Sequence, residues 1–258
     1  MTHSIAVAGK GGTGKTSITS LVIRYLLKHD AGPILAVDAD SNANLGESLG
    51  FEVTGTVGHV LDDFQKEKIN IPAGITKEAY LEIKLNDAIV EGNGLDLLTM
   101  GRGEGPECYC YPNTMLRKLV DTLSDNYASV VVDNEAGMEH LSRRTTRNVD
   151  DLLLVSNHSV KGVRTLARLR ELVSQLGLQV SRQWVLINAV PDGGMEPLVK
   201  EEIDRLGLDS VVVVPYDQEL YQADLMLKPL LDMPDTSQAV VAIDGLMSKL
   251  PIKAKGGK

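Results

Sequence analysis

Gly9-Lys10-Gly11-Gly12-Thr13-Gly14-Lys15-Thr16 has the form G-x-x-x-x-G-K-T of a phosphate-cradling P-loop. It follows the apolar run Ser4-Ile5-Ala6-Val7-Ala8 and precedes a helical pattern that starts near Ser17. That strand, loop and helix context is what gives the motif its meaning. Glycines allow the backbone N–H groups of Gly11, Gly12, Thr13 and Gly14 to turn inward onto phosphate oxygens. The helix start near Ser17 adds its positive dipole end, and Ser17 is counted with the loop as nucleotide-binding. Lys15 is placed for the β- and γ-phosphates and the Thr16 hydroxyl for Mg²⁺. Lys10, directly after the first glycine, is a second lysine that a basic P-loop does not require.

Outward from the loop, Ser17 to His29 is an amphipathic helix, ended by Gly32-Pro33. Ile34 to Val37 is a short buried strand leading into Asp38-Ala39-Asp40-Ser41-Asn42-Ala43-Asn44-Leu45. Residues two apart on a strand share a face, so Asp38 and Asp40 point one way at a strand's carboxyl end. Such a pair suits Mg²⁺ and its waters, or the orientation of an attacking water. Ala128 to Asp133 is a second buried β run ending in an acid, the Walker B pattern, which gives Asp133 to the Mg²⁺ sphere. Gly137, four residues on, is a switch II candidate whose N–H can follow a γ-phosphate. Thereafter strand and helix alternate: strands over 151–156, 183–190 and 211–214, helices over 160–176 and 195–206. The pattern predicts an α/β fold with a doubly wound, mostly parallel sheet and helices on both faces, built as one domain over 1–258. Residues 46–93 contain helical stretches at 57–67 and 77–85 but no nameable chemistry.

Composition narrows the function classes. The 258 residues are 43% hydrophobic and 24% charged, ordinary for a soluble globular protein. A net charge of −9 disfavours nucleic acid and acidic lipid as partners. No apolar run approaches a membrane span and the amino terminus lacks a signal-peptide pattern, so a cytoplasmic location is expected. The last helix, near 237–250, has a polar face that is not basic; packing on the sheet is expected, not membrane contact.

Cys108 and Cys110, the only two cysteines, stand just before a helix that runs to about Leu123. A helix amino terminus favours thiolate, the metal-binding form. C-x-C gives two soft ligands where a tetrahedral thiolate site takes four, and a two-fold dimer can supply them from two facing loops. Two structural thiols or a redox pair fit the same spacing.

K-G-G-T-G-K-T resembles the deviant Walker A loop of the MinD/ParA/NifH class of dimeric ATPases. With D-A-D-S-N-A-N-L, G-E-G-P-E-C-Y-C-Y-P-N and D-N-E-A-G-M-E-H-L-S-R-R it resembles the CooC-type maturation ATPases of nickel carbon monoxide dehydrogenase, a likeness that covers essentially the whole chain. The resemblance implies a SIMIBI-type P-loop NTPase that hydrolyses ATP to ADP and phosphate as a homodimer. It implies that Lys10 crosses to the partner's phosphates and that Asp40 is tied to the hydrolytic water. It implies that Asn188 and Pro215 contact the adenine. It makes Cys108 and Cys110 ligands of Ni²⁺ or Zn²⁺ at a dimer-interface site of four cysteine thiolates. The implied function is an ATP-driven metallochaperone, dimerising with nucleotide or metal, for a nickel enzyme client, carbon monoxide dehydrogenase or the related acetyl-CoA synthase. The chain lacks the histidine-rich tail of some members, so nickel storage is not expected. The competing classes are an iron–sulfur electron donor resembling the nitrogenase iron protein, whose cysteines are widely spaced, and a MinD/ParA-like positioning ATPase.

Overall fold

Seven parallel strands form the sheet: β1 (His3–Gly9), β2 (Ile34–Ala39), β3 (Leu95–Thr99), β4 (Ser129–Asn134), β5 (Asn148–Asn157), β6 (Gln179–Val190) and β7 (Val211–Pro215). This computed structural model describes residues 2–66, 71–72, 74–102, 110–135 and 148–252. The strand order is β3-β2-β4-β1-β5-β6-β7, and every pairing is parallel. β1 therefore lies at the centre, with β4 and β5 on either side. The crevice at the carboxyl ends of these strands is where such a sheet holds its ligand.

The helices among the described residues are α1 (Lys15–Lys28), α2 (Leu45–Leu49), α3 (Val57–Lys66), α4 (Lys77–Asn86), α5 (Cys110–Leu123), α6 (Val160–Gln175), α7 (Pro197–Arg205), α8 (Gln218–Leu225) and α9 (Gln238–Met247). Parallel strands covered on both faces read as continuous apolar runs, because both alternating sets of side chains are buried. Ile5, Val7, Ile34, Ala36, Val131, Leu153 and Val155 pack on one side with residues of α1, α2 and α9. Ala6, Ala8, Leu35, Val37, Val130, Val132, Leu152 and Leu154 pack on the other with residues of α3 to α7. The doubly wound α/β architecture is as the pattern predicts.

Several boundaries shift for local reasons. α1 begins at Lys15, two residues earlier than periodicity suggests, because the last P-loop residues already form its first turn. α5 begins at Cys110, so Pro112 lies in the first turn, where a missing N–H has no helical acceptor to lose. α8, absent from the sequence reading, is nucleated by Asp217. One oxygen of its carboxylate accepts from the N–H groups of Glu219 (2.8 Å) and Leu220 (3.0 Å). The other accepts from Ser237 Oγ (2.6 Å) and the Ala239 N–H (3.0 Å), so one side chain ties the starts of α8 and α9 together. α9 packs on β7 and α1, as expected of the last helix. Among the described residues no helix is long and apolar enough to cross a membrane.

Candidate functional site

The loop between β1 and α1 gets its shape from glycines that nothing larger could replace. A Cβ on Gly9 would lie 2.2 Å from the Val155 carbonyl oxygen, because β1 and β5 run side by side there. Gly14 has φ +86, and a Cβ on it would lie 2.3 Å from Asn188 Nδ2. Thr13 Oγ1 donates to the Lys10 carbonyl at 2.7 Å and closes the loop from within. Lys15 is only 7% exposed, with its ammonium 3.4 Å from the same carbonyl. Lys10, in contrast, is exposed on the rim. Two lysines of one loop are thus separated into an inward and an outward charge.

Asp38 and Asp133 sit directly opposite one another at the ends of β2 and β4. Each is two residues beyond one that packs toward α1 (Ala36 and Val131), so both carboxylates face the α1 side of the sheet. Both are buried, at 0% and 1% exposure. Asp38 Oδ2 accepts from the Leu45 N–H at 2.8 Å, and its Oδ1 from the Asp40 N–H at 3.0 Å. Asp133 Oδ2 accepts from Thr16 Oγ1 at 2.6 Å. Burial pushes the Asp38 carboxyl up from the ordinary carboxylate value, and the charge of Asp133 adds to the push. Burial also pushes Asp133 up, opposed in part by the Thr16 hydrogen bond and the Lys15 charge.

Among the described residues, Asp133 Oδ1 is buried with no hydrogen-bond partner. An orphaned carboxylate oxygen costs on the order of 1–3 kcal/mol or more unless something else occupies it. A hard divalent cation with oxygen ligands fits this place: an anionic oxygen without a partner, the Thr16 hydroxyl beside it and a second carboxylate opposite.

Beyond Asp38, Asp40 is partly exposed, and its Oδ1 accepts from both the backbone N–H (2.9 Å) and Nδ2 (3.0 Å) of Asn42. Ser41 Oγ donates to Glu135 Oε1 at 3.3 Å, joining the turn after β2 to the residue after β4. On the other flank, Asn188 and Pro215 lie at the ends of β6 and β7, with Val190 paired to Pro215 across a register shift. Asn188 Nδ2 donates to the Thr13 carbonyl at 2.9 Å. The structure thus brings Gly11 to Ser17, Asp38, Asp40, Asp133 and Asn188 to one edge of the sheet, with Pro215 beside them. Cys108 and Gly137 lie outside the described residues. Cys110 opens α5. Among the described residues no group of three or more His, Cys, Asp and Glu could hold a metal ion.

Two features were missed in the sequence. Asn42 lies two residues after Asp40, a spacing that suits a local Asx turn and was available as a signal. A cleft of about 260 Å³ runs from Thr16 and Ser17 to Asn44, Ser48, Asp224 and Lys228. Leu227, which lines it, has φ 52, and nothing in the local sequence marks that conformation.

A central β1, a glycine cradle at the start of α1 and paired acids on β2 and β4 define a P-loop ATPase. The chain belongs to the CobQ/CobB/MinD/ParA nucleotide-binding domain family, whose model matches residues 4–230. It is 41% identical over 248 residues to an uncharacterized ATP-binding protein of Methanocaldococcus jannaschii, covering 95% of this chain and 97% of the relative. It is 28% identical over 232 residues to the carbon monoxide dehydrogenase accessory protein CooC of Rhodospirillum rubrum, covering 85% and 86%. Its fold is similar to that of the septum site-determining protein MinD of Pyrococcus horikoshii OT3, solved with Mg-ADP. The TM-score is 0.69, with 20% identity over 96% of both chains.

Proposed function

We propose that this ATPase is a nucleotide-driven metallochaperone, working as a homodimer that prepares a nickel enzyme, carbon monoxide dehydrogenase or acetyl-CoA synthase. The carrying observation is the split of charges in the P-loop: Lys15 buried at the cradle, Lys10 exposed on its rim. A cation that its own loop does not use is available to a second subunit's phosphates, where it supplies positive charge to the transition state.

In this reading the N–H groups of Gly11, Gly12, Thr13 and Gly14 hold the β-phosphate region, with Lys15 on the β- and γ-phosphates and Ser17 beside the α-phosphate. Asn188 and Pro215 flank the base. Thr16, Asp38 and Asp133 hold Mg²⁺, directly or through its waters. Mg²⁺ supplies charge neutralisation on the phosphate oxygens. Asp40 orients the attacking water, and Gly137 reports loss of the γ-phosphate.

Cys108 and Cys110 from two subunits form a thiolate site for Ni²⁺ or Zn²⁺ as cargo. The likeness to CooC and the C-x-C spacing in the sequence support this part. ATP binding draws the two loops together, and hydrolysis releases them. The net charge of −9 argues against nucleic-acid and acidic-lipid partners, and the reading places the protein in the cytoplasm.

The test is titration of the reduced protein with Ni²⁺ and Zn²⁺, with and without ADP or ATP, read by mass and absorbance. One metal per two chains, lost in Cys108→Ala with Cys110→Ala, is the expected result. Stoichiometric nickel binding retained by that double variant removes the cysteine site.

A further inference from the structure

We infer that Asn42 is a positioning residue for ATP hydrolysis: its side-chain amide and backbone N–H together clamp one oxygen of Asp40, leaving the other oxygen to face the attacking water. This rests on the reading of Asp40 as the carboxylate that orients that water.

The geometry is specific. Asp40 Oδ1 receives Asn42 N–H at 2.9 Å and Asn42 Nδ2 at 3.0 Å, so both of its in-plane acceptor directions are filled. The backbone of Asp40 is fixed separately, because its own N–H donates to the buried Asp38 carboxylate at 3.0 Å. The turn closes with the Ala43 N–H donating to the Asp40 carbonyl at 3.1 Å. Ala43 sits at φ 56, a left-handed conformation that a non-glycine residue adopts at a cost. Backbone, carboxylate and turn are therefore each held by a different bond.

Folding does not need the side-chain contact. Asn42 is exposed, and an exposed polar contact contributes little net stability because water offers the same hydrogen bonds. Its effect lies in orientation. A carboxylate with one oxygen doubly engaged has lost its rotational freedom about the Cβ–Cγ bond. The remaining oxygen then keeps a fixed orientation in which to accept a hydrogen bond from water, instead of sweeping about that bond. Holding a water in line with the phosphorus is where such ordering acts, since misplacement by about 1 Å can cost on the order of a hundred-fold in rate.

The inference separates Asn42 from the residues that bind nucleotide. Asn42→Ala removes the side-chain donor and keeps the backbone donor. Asn42→Asp keeps the shape but sets a second anion against Asp40. The experiment measures kcat and KM for ATP, the Kd of a fluorescent ADP analogue and the melting temperature. The variants are Asn42→Ala, Asn42→Asp, Asp40→Ala and Asp40→Ala with Asn42→Ala. The expected result is a fall in kcat on the order of ten-fold for Asn42→Ala, matching one hydrogen bond to a charged group, and a larger fall for Asn42→Asp. KM, Kd and melting temperature stay at wild-type values, and Asn42→Ala adds nothing on the Asp40→Ala background.

Wild-type kcat in Asn42→Ala, with turnover lost in Asp40→Ala, overturns the positioning role while leaving Asp40 in place. A rise in KM and Kd together with the fall in kcat overturns it as well, by making Asn42 a nucleotide-binding element. Wild-type turnover in Asp40→Ala removes the reading of Asp40 itself.

Discussion

Asn188, near the carboxyl end of β6, reaches across the crevice and donates its side-chain amide to the Thr13 carbonyl at 2.9 Å. The contact is buried and joins residues 175 positions apart. It fixes the P-loop from outside, as Thr13 Oγ1 fixes it from within. The amide stands where a Gly14 Cβ would be, which makes Gly14 and Asn188 a matched pair.

Asn188→Ala therefore leaves the Thr13 carbonyl without its buried donor and loosens the cradle for every nucleotide. ATP and ADP affinity should both weaken by roughly five- to thirty-fold, the equivalent of about 1–2 kcal/mol for a buried hydrogen bond. Gly14→Ala should be more severe, because φ +86 is strained for any side chain and the new Cβ meets the Asn188 amide. Calorimetric titration with each nucleotide checks both. Selective loss of ATP with ADP unaffected would count against a general cradle effect.

The orphaned oxygen of Asp133 gives a metal-removal prediction. If a divalent cation belongs there, Mg-ADP should stabilise the fold more than ADP with a chelator. At a hundred-fold excess over Kd, bound ligand adds about 2.7 kcal/mol. Most of the Mg²⁺-dependent increment should vanish in Asp133→Asn, which keeps an acceptor for Thr16 but loses the negative charge. Thermal unfolding with and without Mg²⁺ measures it. An equal Mg²⁺ increment in wild type and variant would place the cation elsewhere.

Thr99 sits in the same row as Asp38, directly paired to it at the end of β3. It is 1% exposed, and among the described residues its hydroxyl oxygen has no hydrogen-bond partner. A buried hydroxyl that bonds to nothing carries a desolvation cost with no return. Thr99→Val keeps the β-branched shape and removes that cost. It should stabilise the protein by about 1 kcal/mol, raising the melting temperature by roughly 2–4 °C. A destabilised valine variant would mean that the hydroxyl has a partner when the site is filled, and the same unfolding curves with Mg-ADP present would reveal it.

The fold was legible because its signals are local and redundant: apolar runs buried on both faces, one glycine loop, and acids at the ends of two runs. Asp38 and Asp133 fell together because adjacent parallel strands of equal phase bring their last residues side by side. What stayed hidden depends on long-range approach. Nothing near Asn188 in sequence indicates that it braces Thr13. α8 is short, and its start depends on Asp217 serving two helices at once. The cleft beside Ser17 is lined by Leu227 at φ 52, a conformation its residue type does not favour.

At the opposite end of the sheet, Asp151 supplies a pH-dependent element far from nucleotide chemistry. Its carboxylate is fully buried and accepts from Arg182 Nε and Nη2 (both 2.7 Å) and from Trp184 Nε1 (2.9 Å), with His3 Nε2 at 2.8 Å. Burial alone would raise its pKa, but the Arg182, His3 and Trp184 hydrogen bonds outweigh it and hold the carboxyl well below the ordinary range. A depressed carboxyl stabilises the fold above the unfolded-state value of about 3.9, and that contribution is lost as pH falls through and below it. Asp151→Asn removes the carboxylate that Arg182 is hydrogen-bonded to, leaving it only the charge of neighbouring Asp150, and should cost about 3 kcal/mol at neutral pH, the low end for a broken buried pair because Arg182 is 36% exposed. Protonating Asp151 in the wild type produces much the same deficit. The gap between wild type and variant should therefore be widest near pH 7 and narrow steadily below about pH 4. Urea unfolding at a series of pH values measures that gap, and a constant difference across the series would show that Asp151 contributes shape and not charge.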